Sequence, residues 1–211
     1  MTTDDLIRAL AADGHVGREP AKVLLVALVP ATAFVAIVFF THIGFRVDID
    51  AALHTVRFLF KFAVIVPLAV VTVGALLRST GPIPALGWWT KLLPLPPLVL
   101  CAGAAAELLA IPPSDWVVRL IGSNAVNCMT LIPLLASGPL VLFITALKSG
   151  APAHPGWSGA IAGLAASSLA AVFYAMNCFD DSPLFVMTWY PLAMLTVVSA
   201  GYFAGVRYLR W

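Results

Sequence analysis

Two of the three cysteines stand in nearly matching contexts, Ala-Val-Asn127-Cys128 and Ala-Met-Asn177-Cys178. A thiolate is a nucleophile for disulfide exchange and a soft ligand for Zn²⁺, Cd²⁺ or Cu⁺. Outside the bacterial cytoplasm, paired thiols tend to oxidise. If the fold brings Cys128 and Cys178 together, the pair can act as a redox or metal-binding sensor. The alternative is that each cysteine is a small apolar residue at a helix end. For Cys101, in the middle of an apolar stretch, packing is the favoured interpretation.

Three carboxylates are further candidates for chemistry. Asp180 and Asp181 follow Cys178 directly, so they are candidate oxygen ligands for a metal held by Cys128 and Cys178. Glu107 lies in an apolar stretch, where a carboxylate often marks a transport path, although it is near enough to the stretch's end to reach water. Walker, Gly-x-Ser-x-Gly, His-Glu-x-x-His and Cys-x-x-Cys motifs are absent. The sequence therefore predicts no enzyme and no resident cofactor, and a membrane thiol oxidoreductase would need a further redox pair or a quinone site.

The elements that position these residues are long apolar segments. The chain of 211 residues is 61% hydrophobic and 10% charged, far less charged than a soluble domain. Its net charge of +2 gives no reason to expect direct nucleic-acid binding. A membrane-spanning helix needs roughly 20 apolar residues. An all-α membrane protein with six transmembrane helices is therefore predicted, with the spans at 23–40, 58–77, 92–111, 128–147, 160–179 and 185–203.

Lysine and arginine predict the orientation of these spans. With both termini in the cytoplasm, eight of the 12 basic residues lie inside. The other four, Arg46, Arg57, Lys61 and Arg119, then lie outside. This balance predicts a multi-pass protein of the bacterial inner membrane, in contact with the lipid bilayer through most of its surface.

The fourth and fifth spans are expected to form an antiparallel hairpin. The short connection between them contains Pro152, Pro155 and Gly156, which favour a turn. Folding about that turn puts Cys128 and Cys178 at the same height, at the outer boundary of the membrane. Gly159-xxx-Gly163 in the fifth span predicts a close approach of two helices, with the fourth span as the expected partner.

Residues 1–21 are predicted to form a cytoplasmic head, and residues 22–211 the membrane domain. Thr3 is a suitable N-cap, and Gly14 can end a short amphipathic helix. One edge of that helix is apolar, so it needs a groove on a partner protein or on its own membrane domain; the alternative is a solvated leader. The candidate contact residues are Asp4, Asp5, Leu6, Ile7, Leu10 and Asp13.

Taken together, these patterns resemble a known family. The shared features are the head Asp5-Leu6-Ile7-x-x-Leu10-Ala11-x-Asp13, Cys128, Gly159-xxx-Gly163 and the block Tyr174-Ala175-x-x-Cys178-x-Asp180-x-x-x-x-Phe185-x-x-x-Trp189-Tyr190. The chain resembles the NrsF (negative regulator of sigma F) family, six-span bacterial inner-membrane anti-sigma factors. The resemblance implies that the head sequesters an extracytoplasmic-function sigma factor. It also implies that the sigma factor is released when oxidant or heavy-metal stress acts on the periplasmic cysteine pair. A heavy metal bound there would be a signal and not a cofactor.

A second reading of the sequence is a small membrane transporter or channel subunit. In that reading Glu107 and the proline-rich third span line a path across the membrane. It predicts that removal of the head spares function and that Glu107→Gln destroys it.

Overall fold

The computed structural model describes Thr2, Asp4, Asp5 and residues 20–80, 88–150 and 152–209. The predicted head contacts Leu6, Ile7, Leu10 and Asp13, and the predicted N-cap Thr3, lie outside these residues. Within the head, the Asp5 carboxylate accepts hydrogen bonds from the Thr2 N–H at 2.9 Å and the Thr2 hydroxyl at 2.7 Å. The Asp5 N–H donates to Thr2 Oγ1 in return, the reciprocal pattern of a capping box.

All regular secondary structure in the described residues is helical, which confirms the all-α part of the predicted fold class. In chain order the elements are α1 (Pro20–Val38), a π-helical turn (Phe39–Ile43), α2 (Ile49–Leu53), α3 (Val56–Arg78), α4 (Trp89–Leu92), α5 (Leu95–Ala110), a 3-10 turn (Pro113–Asp115), α6 (Trp116–Ile121), α7 (Ala125–Leu147), α8 (Pro155–Ala175) and α9 (Pro183–Tyr208).

Five stretches of the described chain are long and apolar enough to cross a membrane, and the predicted third span is the exception. It contains the 16-residue helix α5, whose length of about 24 Å is less than a hydrocarbon core of about 30 Å. Pro94, Pro96 and Pro97 explain the short helix, because proline lacks the N–H that would continue a helix toward α4. The other five spans coincide with α1, α3, α7, α8 and α9.

Helix α8 is the centre of the bundle. In its most apolar window 72% of the residues are buried, against 22% for α1. Helices α3, α7 and α9 pack around α8, whereas α1 packs mainly on α7. Between α3 and α8, Thr72 and Ser168 share a hydrogen bond of 2.8 Å. The bundle therefore has a fixed centre and one peripheral span, α1, that is attached directly to the head.

The close approach predicted at Gly159-xxx-Gly163 is found, but its partner is α9 and not the fourth span. A methyl group added to Gly163 would lie 2.6 Å from the Val197 carbonyl oxygen, and one added to Gly159 would collide with the Gly201 carbonyl. Gly201 and Gly205 on α9 face the same contact. Because both helices have glycine at the contact, the two backbones of α8 and α9 can touch.

This contact makes the α8–α9 pair sensitive to a single methyl group. We expect Gly163→Val to lower the free energy of unfolding by about 1–3 kcal/mol or more, because the added atoms meet backbone that cannot rotate away. Thermal unfolding in detergent micelles measures the change. Ala105→Val on the exposed face of α5 is the matched control and should melt like the wild type. Equal melting temperatures for Gly163→Val and the control would contradict the packing described for α8 and α9.

Candidate functional site

The two cysteines lie at one end of the bundle, here called the cysteine end, formed by the connections 44–55, 111–124 and 176–182. Cys128 is on the first turn of α7, where its N–H donates to the Asn124 carbonyl at 2.8 Å. Cys178 is in the loop between α8 and α9. Both side chains are completely buried and both thiols are free. The common height expected for Cys128 and Cys178 is therefore found in the structure.

Cys178 does not lie on the fifth span, as predicted, but beyond its end. Helix α8 stops at Ala175, four residues earlier than the apolar pattern indicates. The Met176 carbonyl accepts a hydrogen bond from the Arg46 N–H at 3.2 Å, and the Asn177 side chain donates to the Gly44 carbonyl at 3.1 Å. These bonds from another part of the chain satisfy polar groups that follow the last helical turn.

Two tyrosines border the thiols. The rings of Tyr174 and Tyr190 are 5.8 Å apart, and both side chains are buried. Tyr174 donates a hydrogen bond to the Asn124 carbonyl at 3.4 Å. The Tyr190 hydroxyl has no hydrogen bond of normal geometry to any described residue, although it interacts with the Cys178 thiol. Neither composition nor spacing indicated that Tyr174 and Tyr190 lie beside the thiols, although both tyrosines are part of the block that carries the family resemblance.

The loop that carries Cys178 is held by a group that we name the charged clamp: Arg46, Lys61 and Asp181. The guanidinium of Arg46 donates to the Cys178 carbonyl at 3.2 Å and to Asp181 Oδ2 at 2.7 Å. The ammonium of Lys61 donates to the same carbonyl at 3.0 Å and also to Asp181 Oδ1. The Lys61 side chain is fully buried. Two cations from different elements therefore converge on the backbone of the cysteine.

Aromatic rings and a second carboxylate complete the surroundings of the clamp. Arg46 lies 4.8 Å from the ring centre of Phe179, and Lys61 lies 5.2 Å from that of Phe58. Arg46 also forms a two-pronged ion pair with Asp48, at 2.7 and 2.8 Å. This pair raises the pKa of Arg46 and lowers that of Asp48. The Arg46–Asp48 pair therefore stays charged across the physiological pH range.

The same charges affect the thiol. Burial raises the pKa of Cys178 above its ordinary value, because a thiolate is poorly solvated there, and the positive charge of Lys61 acts in the opposite direction. Lys61 is thus placed both to hold the Cys178 backbone and to favour the reactive form of its side chain. From the sequence alone, Lys61 is recognisable only as a basic residue on the outer side.

Asp180 and Asp181, the candidate metal ligands, both accept hydrogen bonds from the protein. Asp180 Oδ2 accepts from the backbone N–H groups of Ser123 and Asn124, at 2.9 and 2.8 Å, and from both of their side chains. It thereby caps the start of α7, the helix of Cys128. Among the described residues, no group of three or more His, Cys, Asp or Glu side chains is arranged to hold a metal ion.

Glu107, on α5, ties further elements to the cysteine end. Its carboxylate pairs with Arg57 at 3.3 Å and Arg119 at 3.2 Å. It also accepts hydrogen bonds from the Ser182 hydroxyl and the Leu184 N–H, at the start of α9. These contacts give the buried carboxylate a structural role, and nothing in them indicates a transport path.

The repeated Asn-Cys context is not a repeated structure. Asn127 donates to the Asn124 side chain at 3.3 Å, whereas Asn177 reaches the Gly44 carbonyl. Cys101, predicted to pack in the core, is exposed on the outer surface of α5. What unites Cys128 and Cys178 is therefore the hydrogen bonding of the Cys178 loop to the start of α7, which no local sequence match encodes.

Comparison with known proteins gives a consistent result along the whole chain. The family model described as "NrsF: Negative regulator of sigma F" matches residues 10–211. The chain is 30% identical to the "Probable anti-sigma-F factor NrsF" of Azospira oryzae over 213 residues, which covers 100% of both chains. It is also 30% identical to the "Anti-sigma-F factor NrsF" of Caulobacter vibrioides over 217 residues, again 100% of both. No solved structure matches the chain.

The position of Lys61 predicts a change in thiol reactivity. We expect Lys61→Met to move the alkylation of Cys178 by iodoacetamide to higher pH, because loss of the cation raises the pKa of the thiol. Mass spectrometry of Cys178 over a pH series in membranes measures the midpoint. Arg57→Met, which removes a cation of α3 that pairs with Glu107, is the control and should leave the midpoint in place. A Lys61→Met midpoint equal to or below that of the wild type would refute the electrostatic role.

Proposed function

Because the chain belongs to the NrsF family of negative regulators of sigma F, we propose that it holds a sigma factor of the extracytoplasmic-function type through its head and releases it under stress. The stress is an oxidant or a heavy metal that acts on Cys128 and Cys178. In this proposal the cysteine end faces the periplasm, and the protein spans the bacterial inner membrane. The observation that carries the proposal is that two buried thiols lie at one end of the bundle, where the loop of Cys178 is hydrogen-bonded to the start of the helix of Cys128.

Either signal has a chemical route at the thiols. An oxidant that takes two electrons and two protons from Cys128 and Cys178 leaves a disulfide. A soft cation such as Cd²⁺ displaces two protons and joins the thiolates. Both carboxylate oxygens of Asp181 accept hydrogen bonds from Arg46 or Lys61. A metal that recruited Asp181 as a further ligand would therefore compete with contacts that hold the cysteine end together.

The basic residues of the cysteine end support its assignment to the outer side. Arg46, Arg57, Lys61 and Arg119 are exceptions to the rule that basic residues stay inside, and each forms an ion pair there with Asp181 or Glu107. Their presence at this end therefore has a structural reason. Arg78, Lys148 and Arg207 lie at the opposite end of the bundle, where α3, α7 and α9 terminate.

The amphipathic sequence pattern of the head supports its proposed role in binding the sigma factor. Leu6, Ile7 and Leu10 would form one apolar edge of a helix, with Asp4, Asp5 and Asp13 beside it. An amphipathic helix of this kind buries its edge in a groove of a partner. A sigma factor held in this way is kept from RNA polymerase, so the protein acts on transcription with no nucleic-acid contact of its own.

Removal of either thiol tests the sensor role. We expect Cys128→Ser and Cys178→Ser to keep repression and to lose stress induction of a sigma-dependent reporter, because a hydroxyl forms neither a disulfide nor a soft-metal bond. Cys101→Ser is the matched control, since it removes a thiol exposed on α5, and it should respond normally. Wild-type induction in both Cys128→Ser and Cys178→Ser would sink the sensor role.

A charge on the apolar edge tests the head. We expect Leu6→Asp or Leu10→Asp to weaken sigma binding by about 30-fold or more, the cost of a buried interface anchor. Co-purification of the sigma factor with the full-length protein measures the loss, and the reporter should be active without stress. Ala12→Asp adds the same charge on the opposite side of the predicted helix and serves as the control. An intact complex with Leu6→Asp and Leu10→Asp would remove the head from the mechanism.

A further inference from the structure

A change at Cys178 needs a path to the head, and one helix joins the two regions. The head continues directly into α1, which begins at Pro20. At its other end α1 runs without a break into the π-helical turn Phe39–Ile43, which is followed by Gly44 and Arg46. Gly44 and Arg46 are bonded to the loop of Cys178. Helix α1 therefore has the head at one end and the cysteine loop at the other.

The bonds between these two segments involve both backbone and side chains. The Arg46 N–H donates to the Met176 carbonyl, and the Asn177 side chain donates to the Gly44 carbonyl. The Arg46 guanidinium reaches further along the same loop, to the Cys178 carbonyl and to Asp181. Rotation of the Cys178 peptide would thus displace a hydrogen-bond acceptor of Arg46 itself.

Helix α1 is the span best placed to respond. It is the least buried of the five long apolar stretches in the described chain, so moving it disturbs fewer packed side chains than moving α8. It packs mainly on α7, the helix that carries Cys128. Its contacts with the remainder of the bundle are therefore concentrated on the helix of one cysteine. Gly44 and Arg46, which follow its π-helical turn, bond to the loop of the other.

The π-helical turn provides a feature that can change. Such turns are rare and are frequently found at functional sites. Here the Gly44 N–H closes the turn on the Phe39 carbonyl at 2.7 Å, and Gly44 has φ 73°, in the left-handed region that glycine adopts readily. The Phe39 ring is fully buried against Phe45 and Phe173. The turn is thus anchored to α8 on one side and to the clamp on the other.

We propose that Arg46 is a positioning residue that couples the state of the Cys128–Cys178 pair to α1, and through α1 to the head. The inference rests on the proposed sensor function and assigns its connection across the membrane. Arg46 acts through the Cys178 carbonyl and Asp181, and it takes no part in the thiol chemistry. Lys61 holds the same two acceptors from α3, so it fixes the loop to the bundle while Arg46 links the loop to α1.

The experiment separates thiol chemistry from its output. Full-length Arg46→Gln is expressed in cells with a sigma-dependent reporter, in a Cys101→Ala background, and Cd²⁺ is the probe. Two quantities are measured: protection of Cys128 and Cys178 from maleimide by Cd²⁺ in isolated membranes, and the ratio of reporter activity with and without Cd²⁺. Arg57→Gln is the matched control, since Arg57 is a cation of the cysteine end that pairs with Glu107.

We expect Arg46→Gln to change the reporter ratio and to leave the Cd²⁺ protection of the cysteines unchanged. In Arg46→Gln, Cd²⁺ protection stays close to the wild-type level, while the reporter ratio falls by about tenfold, within the usual range for coupling between separate sites. Arg57→Gln keeps both quantities. If Arg46→Gln does not accumulate in the membrane, Arg46→Lys replaces it; that variant keeps the charge but cannot span both Asp48 and Asp181.

Two results would overturn the inference. One is a wild-type reporter ratio in Arg46→Gln, and the other is a loss of Cd²⁺ protection in step with the ratio, which would make Arg46 a part of the thiol site alone. Cys178→Ser, measured in parallel, separates this inference from the proposed function. If Cys178→Ser loses the reporter response to Cd²⁺ and Arg46→Gln keeps it, the coupling role of Arg46 is rejected and the sensor function stands. If both variants respond normally, the sensor function and the coupling role are both rejected.

Discussion

The convergence of Arg46 and Lys61 on the Cys178 carbonyl and Asp181 is the interaction on which the cysteine end depends. A lysine ammonium as fully buried as that of Lys61 is tolerated only when it is paired and hydrogen-bonded. The loop 176–182 has the complementary requirement, because its backbone groups lie outside a helix at the edge of an apolar bundle and need partners. The loop supplies the acceptors that Lys61 needs, and Lys61 and Arg46 supply donors to the loop. The loop therefore has one well-defined course, and Cys178 has one position at the cysteine end.

The remaining contacts of the loop extend this arrangement to its neighbours. Asp180 accepts a hydrogen bond from the Asn124 N–H at the start of α7, and Glu107 of α5 accepts one from the Leu184 N–H at the start of α9. Toward the opposite end of the bundle, α8 and α9 are joined by glycines whose backbones touch. A rigid pair of helices thus carries a loop whose acceptors are shared among several elements. Strain created at Cys178 would be relieved where packing is least extensive, which is at α1 and its π-helical turn. Such a division between a fixed core and a lightly packed element is what a two-state switch requires.

The sequence was informative wherever one physical rule acted alone. Apolar length predicted the helices, and the turn after Lys148 predicted the antiparallel hairpin that puts Cys128 and Cys178 at one end. It was less informative where several elements compete for the same contact. Gly159 and Gly163 predict a close approach of two helices but do not indicate which helix is the partner. The partner is α9, whose own Gly201 and Gly205 lie at the contact. The end of α8 at Ala175 depends on hydrogen bonds with Gly44, which accepts, and Arg46, which donates. Both residues are more than 100 positions away, so no local pattern contains these bonds. The short α5 results from Pro94, Pro96 and Pro97, whose effect on helix length is not contained in the apolar pattern.

Charged residues in apolar segments are often taken as signs of a transport path, and Glu107 and Lys61 allow a different interpretation. Both lie within about two turns of the cysteine end, and both bind a connection rather than line a channel. A loop at the membrane boundary is polar on every peptide, so the spans beside it must supply fixed charges at that depth. Lys61 meets this need and also brings positive charge to a thiol whose pKa is raised by burial. The residue that stabilises the loop therefore also sets how readily the loop's cysteine reacts, so structure and sensitivity at this end cannot be varied independently.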